Sequence, residues 1–469
     1  MIKNLILCIS ILVLLGSCNT VEKQKFDLLI LNATIIDVET GKLLSNKLIG
    51  ITKDTIRLVD DMAKREKIKG EKLLDAKNKY VMPGLWDMHV HFRGGDSLIE
   101  ENKNLLPLFL AYGITSVRDA GGDMTPSVMI WRDKIQNGTL DGPTIFTSGP
   151  KLDGSEPTWP GSIKVVNSKD IEKALDSLQL IGVDYVKMYD GSLSKDAFYG
   201  IIQAAEKRGM RTTGHMPLSA DLMEAIDYGL DGTEHMYYTL KACSPLADSL
   251  TKLNIGYGMM NQILASYDPQ LANKVFSKMS DKNVFITPTL YIGKTLSELL
   301  DVDHSKDSLL PYIGRGIQQS YQGRIENAKR AQSKGDNSRE KMGQLALDMM
   351  VPMYDAGVKI IAGSDCGAFN SFVYPGESLH KELVSFVKAG LTPQQALITS
   401  VINGPKFFEL EDYYGSVDIG KVADLVLLDK NPLDNIENIS KIIALVKNGK
   451  LYKKDSIDKM ILKLKEEKK

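Results

Sequence analysis

His89 and His91 stand one residue apart in the run PGLWDMHVHF. On a β-strand that spacing puts both imidazoles on one face. Two neutral imidazoles on a rigid strand make half of a metal site, although an isolated pair on a polar face is more often solvated than metal-bound. The other ligand candidates weigh on that choice. Only six histidines occur in 469 residues; His215 ends RTTGH and His235 ends DGTEH. Asp365 ends VKIIAGSD, a run rich in β-branched residues with Gly363 and Gly367 beside it. Each group falls where a strand is expected to stop, which is where a (β/α)8 barrel gathers its active site. The set suits zinc or a similar divalent ion.

Lys187 lies in GVDYVKMYDG. Alternation puts Tyr185, Lys187 and Tyr189 on one strand face. A lysine facing a barrel interior is costly unless it is paired or altered. Desolvation favours the neutral amine, which reacts with carbon dioxide to give a carbamate able to bridge two metals. The other reading is an ion pair with Asp184 or Asp190.

The order H-x-H, Lys, His, His, Asp resembles the amidohydrolase superfamily, closest to its prolidase-like and imidazolonepropionase-like branch. The matching runs are VMPGLWDMHVHF, AYGITSVRDAGG, GVDYVKMYDG, TTGHMP, DGTEHM, IIAGSDCG and YGSVDIGKVADLVLLDKNPL. The resemblance implies a hydrolase of an amide, peptide-like or cyclic-amide C–N bond, dipeptidases included. His89, His91 and Asp365 would hold one divalent ion and His215 and His235 a second. Carbamylated Lys187 and a hydroxide would bridge them. Zinc is expected, with manganese, iron or cobalt compatible. Asp365 would carry the proton to the leaving nitrogen, and Tyr189 would donate to the oxyanion or pack the barrel. Where dipeptidase relatives tend to carry Gly-Gly-His, this chain reads KLDGSEPTWPGSIKV. The missing histidine puts recognition of a substrate carboxylate in doubt and makes Trp159 a candidate apolar wall. Arg118 either reaches the site or pairs with Asp119. His380, in PGESLH, either contacts substrate or packs its helix. A one-metal deaminase or a lactone hydrolase on the same fold, and a binding lipoprotein without catalysis, are the rival readings. Lys187 argues against the deaminase, and the full ligand set against loss of catalysis.

These residues need a scaffold. Residues 26–82 and 416–469 alternate apolar and polar residues between turn signals, as short antiparallel strands do. Residues 83–415 alternate strand runs with amphipathic helices such as SKDIEKALDSLQLIG. The expected fold is α/β: a (β/α)8 TIM-like barrel inserted in a small β-sandwich domain. The connections 236–283 and 291–357 are long enough to form lids or specificity walls. His304, within the second, is expected in solvent. Residues 1–17 read as a signal peptide and 18–25 as a tether. The run Leu15-Gly16-Ser17-Cys18 resembles a bacterial lipobox, which implies acylation of Cys18 and a place in the cell envelope, on a membrane. With 58 basic and 59 acidic residues and no basic-aromatic tract, nucleic acid is an unlikely partner. The expected partner is a small-molecule substrate, and a homo-oligomer is compatible with the chain.

Overall fold

The computed structural model describes residues 23–466; the signal, Cys18 and most of the tether lie outside them. The fold is mixed α/β. Both ends of the chain enter one eight-stranded sheet, built from strands between Gln24 and Pro83 and between Leu425 and Lys453. Strand Gln24–Ile36 is irregular between Ile30 and Ile35, and this lets its two halves pair with Ile68–Asp75 and with Tyr80–Pro83. Pairing is therefore continuous across the sheet. Leu425–Leu428 lies antiparallel to Tyr80–Pro83 and locks the end of the chain against its beginning.

Between these segments run three parallel arcs. The first joins Leu85–His91, Ile114–Asp119 and Thr144–Thr147, with Cys366–Gly367 on its outer side. The second contains Leu152–Asp153, Val186–Met188 and Thr212–Gly214, and the third Gly232–Glu234, Phe285–Thr287 and Lys359–Ile360. Asp184 N–H donates to Thr147 O (2.9 Å), and Asp365 N–H to His89 O (2.7 Å), so the last arc returns to the first.

Helices between the strands form for local reasons. In Ser168–Ile181, Ile171, Ala174, Leu175 and Leu178 recur on one buried face. Asn167 accepts from Asp170 N–H at its start, and Gly182 (φ 76°) ends it in the left-handed region. The long connections are helical as well. Gln322–Ser333 buries no side chain, as its charge pattern implies, whereas Ser338–Asp355 buries Ala346, Met349, Met350 and Met353.

Candidate metal centre

His89 and His91 point inward from Leu85–His91, every residue of which is buried. Lys187 comes from Val186–Met188; His215, His235 and Asp365 each follow the last residues of a strand or its extension. His235 (φ 61°) and Asp365 (φ 55°) adopt left-handed backbone. For non-glycine residues this costs on the order of 1 kcal/mol each, a strain often found at working sites.

The imidazoles converge through Nε2. His89 and His91 Nε2 are 3.3 Å apart, and His215 and His235 Nε2 are 3.1 Å apart. Asp365 Oδ1 lies 3.2 Å from His91 Nε2 and 3.6 Å from His89 Nε2; its Oδ2 is 3.9 Å from His235 Nε2. The other ring nitrogens are engaged: His89 Nδ1 with Glu234 (2.6 Å), His91 Nδ1 with Gly121 O (3.1 Å), His215 Nδ1 with Asp190 (3.2 Å) and His235 Nδ1 with Thr289 Oγ1 (2.6 Å). Carboxylate and carbonyl acceptors require Nδ1–H, which leaves Nε2 of His89, His91 and His215 as a lone pair. Burial lowers the pKa of His89, and moves those of His91 and His235 well below the usual range. Neutral rings aiming lone pairs at one another and at a carboxylate repel unless a cation lies between them, so the donor set fits a divalent metal.

Beneath this centre is a buried charge cluster. Arg118 donates to Glu234 Oε1 (2.7 Å), Thr287 Oγ1 (3.0 Å) and Met88 O (2.6 Å). Arg118 and Glu234 are both 0% exposed. Burial pushes the Glu234 carboxyl up, but Arg118, Lys187 and His89 outweigh it and hold it well below the usual carboxylate range. Lys187 Nζ makes no hydrogen bond; its ion-pair partner is Glu234, whose Oε1 lies 3.9 Å away, and not Asp184 or Asp190. Burial, assisted by Arg118 and opposed by Glu234, pushes its pKa down to about 8.

A cavity of about 730 Å³ opens above the histidines. Trp159 and Tyr189 line it, and the Tyr189 ring stacks on His215 with centroids 4.5 Å apart. Arg118 and His380 do not line it. Arg118 pairs with Glu234 instead of Asp119, whose carboxylate accepts from Thr147 Oγ1. His380 Nε2–H donates to Tyr112 O (2.8 Å) inside the helix packing. His304 is also not in solvent: it stacks on Phe372 (3.9 Å) and binds Asp307. Sequence reasoning missed Glu234, Asn370, Arg93 and Lys151. Asn370 Nδ2–H donates to Asp365 Oδ1 (2.7 Å) and orients it. For Arg93, Lys151 and Glu234 the available signal was a charge at or just beyond a strand run, in HFR, GPK and TEH; no sequence signal singled out Asn370.

A parallel-stranded α/β fold that brings histidines, a lysine and an aspartate together at strand ends defines a class of metal-dependent hydrolases. Residues 80–452 match the Amidohydrolase family, and the chain belongs to it. Members are hydrolases acting on C–N bonds and generally bind metal ions. Ochratoxinase of Aspergillus niger is 23% identical over 433 residues, 80% of this chain and 75% of that protein. Adenine deaminase of Clostridium botulinum (strain ATCC 19397 / Type A) is 23% identical over 261 residues, 54% of this chain. This chain covers 41% of that deaminase's length. Among solved structures, bottromycin amidohydrolase superposes with a TM-score of 0.73 at 19% identity, covering 94% of this chain and 90% of that one. A Xaa-Pro dipeptidase with bound methionine gives 0.66 at 19%, covering 91% and 99%. At these identities the structural likeness is one of fold.

Proposed function

We propose that the chain is a two-metal amide hydrolase built on a closed (β/α)8 barrel, acting on a small amide or peptide-like substrate. The observation that carries this reading is the convergence of Asp365 and the Nε2 atoms of His89, His91, His215 and His235 in a centre that also holds the buried Lys187 amine, whose Nζ makes no hydrogen bond. His89, His91 and Asp365 would hold one divalent ion, zinc being the first candidate, and His215 and His235 the other. A bound divalent ion brings water's pKa toward about 7 and polarises a carbonyl. Lys187 supports a bridging role as its carbamate: the neutral Nζ would attack carbon dioxide, one C–N bond forming as one C=O π bond opens onto oxygen, with one N–H proton passing to solvent. Lowered basicity and an Nζ that makes no hydrogen bond both favour that reaction. Asp365 would take the proton of the attacking water and deliver it to the departing nitrogen. Asn370 fixes its Oδ1 and so leaves Oδ2 for the transfer. Tyr189, at the cavity wall beside His215, would donate to the oxyanion.

The lipobox-like run supports export and acylation of Cys18. No helix of the described residues is long and apolar enough to cross a membrane. Loss of fatty-acid labelling in Cys18→Ala would support the anchor; unchanged labelling would remove it.

The test of the function is metal stoichiometry on purified protein, with hydrolysis of a mixed pool of dipeptides and N-acyl amino acids read by mass spectrometry. Two metals with amide cleavage are expected. Lys187→Ala should lose metal and reduce turnover at least about 100-fold. Full activity with two metals in that variant would sink the bridging role.

A further inference from the structure

Each of the four imidazoles is turned by a partner at its Nδ1, and these partners are held in different ways. Gly121 O and Thr289 Oγ1 belong to chain just beyond strands Ile114–Asp119 and Phe285–Thr287. Glu234, the partner of His89, is fixed by Arg118 and Thr213. Asp190, the partner of His215, depends on a segment outside the strands. Its side chain is 7% exposed, so water gives it little. Oδ1 accepts from His215 Nδ1–H, and Oδ2 accepts from the hydroxyls of Tyr238 (3.2 Å) and Tyr257.

Tyr238 is fully buried in helix Tyr237–Ala242. Tyr257 is 46% exposed and sits in the short 3-10 helix Gly256–Met259, within the long connection that follows His235. With Asn254 and Gly256 it lines the cavity. This segment is loosely attached. Met259 is the buried residue of the 3-10 helix, and a Cβ on Gly256 would meet nothing within 4 Å. The Tyr257 ring meets Tyr237 edge-on (5.2 Å), a contact that leaves the direction of the Asp190 carboxylate open. Its hydroxyl sets that direction, because a phenol donating to a carboxylate makes a charge-assisted bond. A buried carboxylate deprived of one donor turns toward those that remain. Without the Tyr257 hydroxyl, Oδ2 keeps Tyr238 alone, and the carboxylate is freer to swing away from His215.

We propose that Tyr257 is a positioning residue that acts through Asp190 on His215, so that the segment covering the cavity governs how firmly the His215–His235 position holds its metal. This rests on the two-metal reading above. Opening of the segment breaks the Tyr257 bond and loosens that position; closure restores it.

The test follows metal, not turnover. Full-length protein loaded with zinc is mixed with a chromophoric chelator, and the release phase that disappears in His215→Ala is assigned to the His215–His235 position. Tyr257→Phe keeps the ring and its contact with Tyr237 and removes only the hydroxyl. It should speed that phase at least about tenfold, while the other phase and the melting temperature stay unchanged. Asp190→Asn retains an acceptor for His215 Nδ1–H and offers the phenols an amide group that cannot accept from them. In that background Tyr257→Phe should change release less than about twofold, because the route through Asp190 is already cut. If Asp190→Asn does not fold, Asp190→Ser takes its place. Unchanged release in Tyr257→Phe overturns the proposal, and so does equal acceleration of both phases. Equal acceleration in the two backgrounds overturns it as well, because Tyr257 then only screens the metal from the chelator. Natural protein that binds one metal or none overturns the two-metal reading and this proposal with it; two metals released at the same rates with and without the hydroxyl overturn the proposal alone.

Discussion

Glu234 shows how much of the centre depends on a side chain that would never touch a metal. One oxygen accepts from His89 Nδ1–H and fixes that ring's tautomer; the other accepts from Arg118 and Thr213. Its negative charge also offsets the field of Lys187. Glu234→Gln keeps the shape and removes the charge. It leaves Arg118 buried without its anion, so a loss of about 3–5 kcal/mol is expected in chemical denaturation. Metal affinity should fall about 10–100-fold, since the orienting partner of His89 is weakened. Unchanged affinity in a metal titration would limit Glu234 to charge balance. The ligand candidates were legible because each follows a short β-prone run. Glu234 was not, although it adjoins His235. Its partners His89 and Arg118 lie 145 and 116 residues away, and sequence spacing carries no signal for such pairs. Arg118 was misassigned for the same reason: Asp119 is its neighbour in the chain, but the strand turns the two to opposite sides.

At the scale of elements, the H-x-H strand keeps its place because the segment before Asp365 approaches it closely. A Cβ on Gly363 would lie 2.6 Å from Thr287 Cγ2, 2.7 Å from His89 Cβ and 2.9 Å from His89 N. Two of these contacts are with the ligand-bearing residue, and its backbone nitrogen has little room to give. Gly363→Ala should therefore displace His89, cost about 1–3 kcal/mol by overpacking, and lower metal retention. Gly323, in helix Gln322–Ser333 with nothing near its missing side chain, supplies the control. Gly323→Ala should gain up to about 1 kcal/mol through helix propensity and keep its metal. Equal metal retention by both variants in elemental analysis would defeat the argument. The glycines beside Asp365 read correctly as places where a strand ends, but the close approach that requires Gly363 exists only after folding. Similarly, the charge pattern of GRIENAKRAQSKGDNSRE, residues 323–340, implies a solvated helical face, and helix Gln322–Ser333 buries no side chain, yet its Arg324 reaches Asn370 at the cavity (3.3 Å). A long side chain can do both at once.

For the whole molecule, the parallel arcs must be held as one body, and His380 links two distant parts of them. Its helix, Glu377–Lys388, follows the Asp365 segment, while Tyr112, whose carbonyl accepts its proton, precedes strand Ile114–Asp119. Alternation and helix periodicity revealed the elements at both ends. They did not reveal this crossing, so His380 was left between substrate contact and packing. Burial pushes its pKa down to about 4, with the Tyr112 bond opposing. An unfolded histidine takes up a proton near pH 6.5. Between about pH 6.5 and 4 the unfolded chain therefore binds more protons than the folded one, and stability falls as the pH falls. The contribution is fully present above pH 6.5, about 2 kcal/mol of it is gone by pH 5, and the loss levels off below pH 4. His380→Gln retains a side-chain donor and cannot titrate. It should lower stability somewhat at every pH through imperfect packing, but its loss between pH 7.5 and pH 5 should be about 2 kcal/mol smaller than that of the natural chain. Urea midpoints of both proteins at the two pH values isolate this term, because titration of the metal ligands is common to both and cancels. Parallel pH profiles would mean that His380 charges as readily folded as unfolded, and the buried crossing would then not be what makes the molecule sensitive to acid.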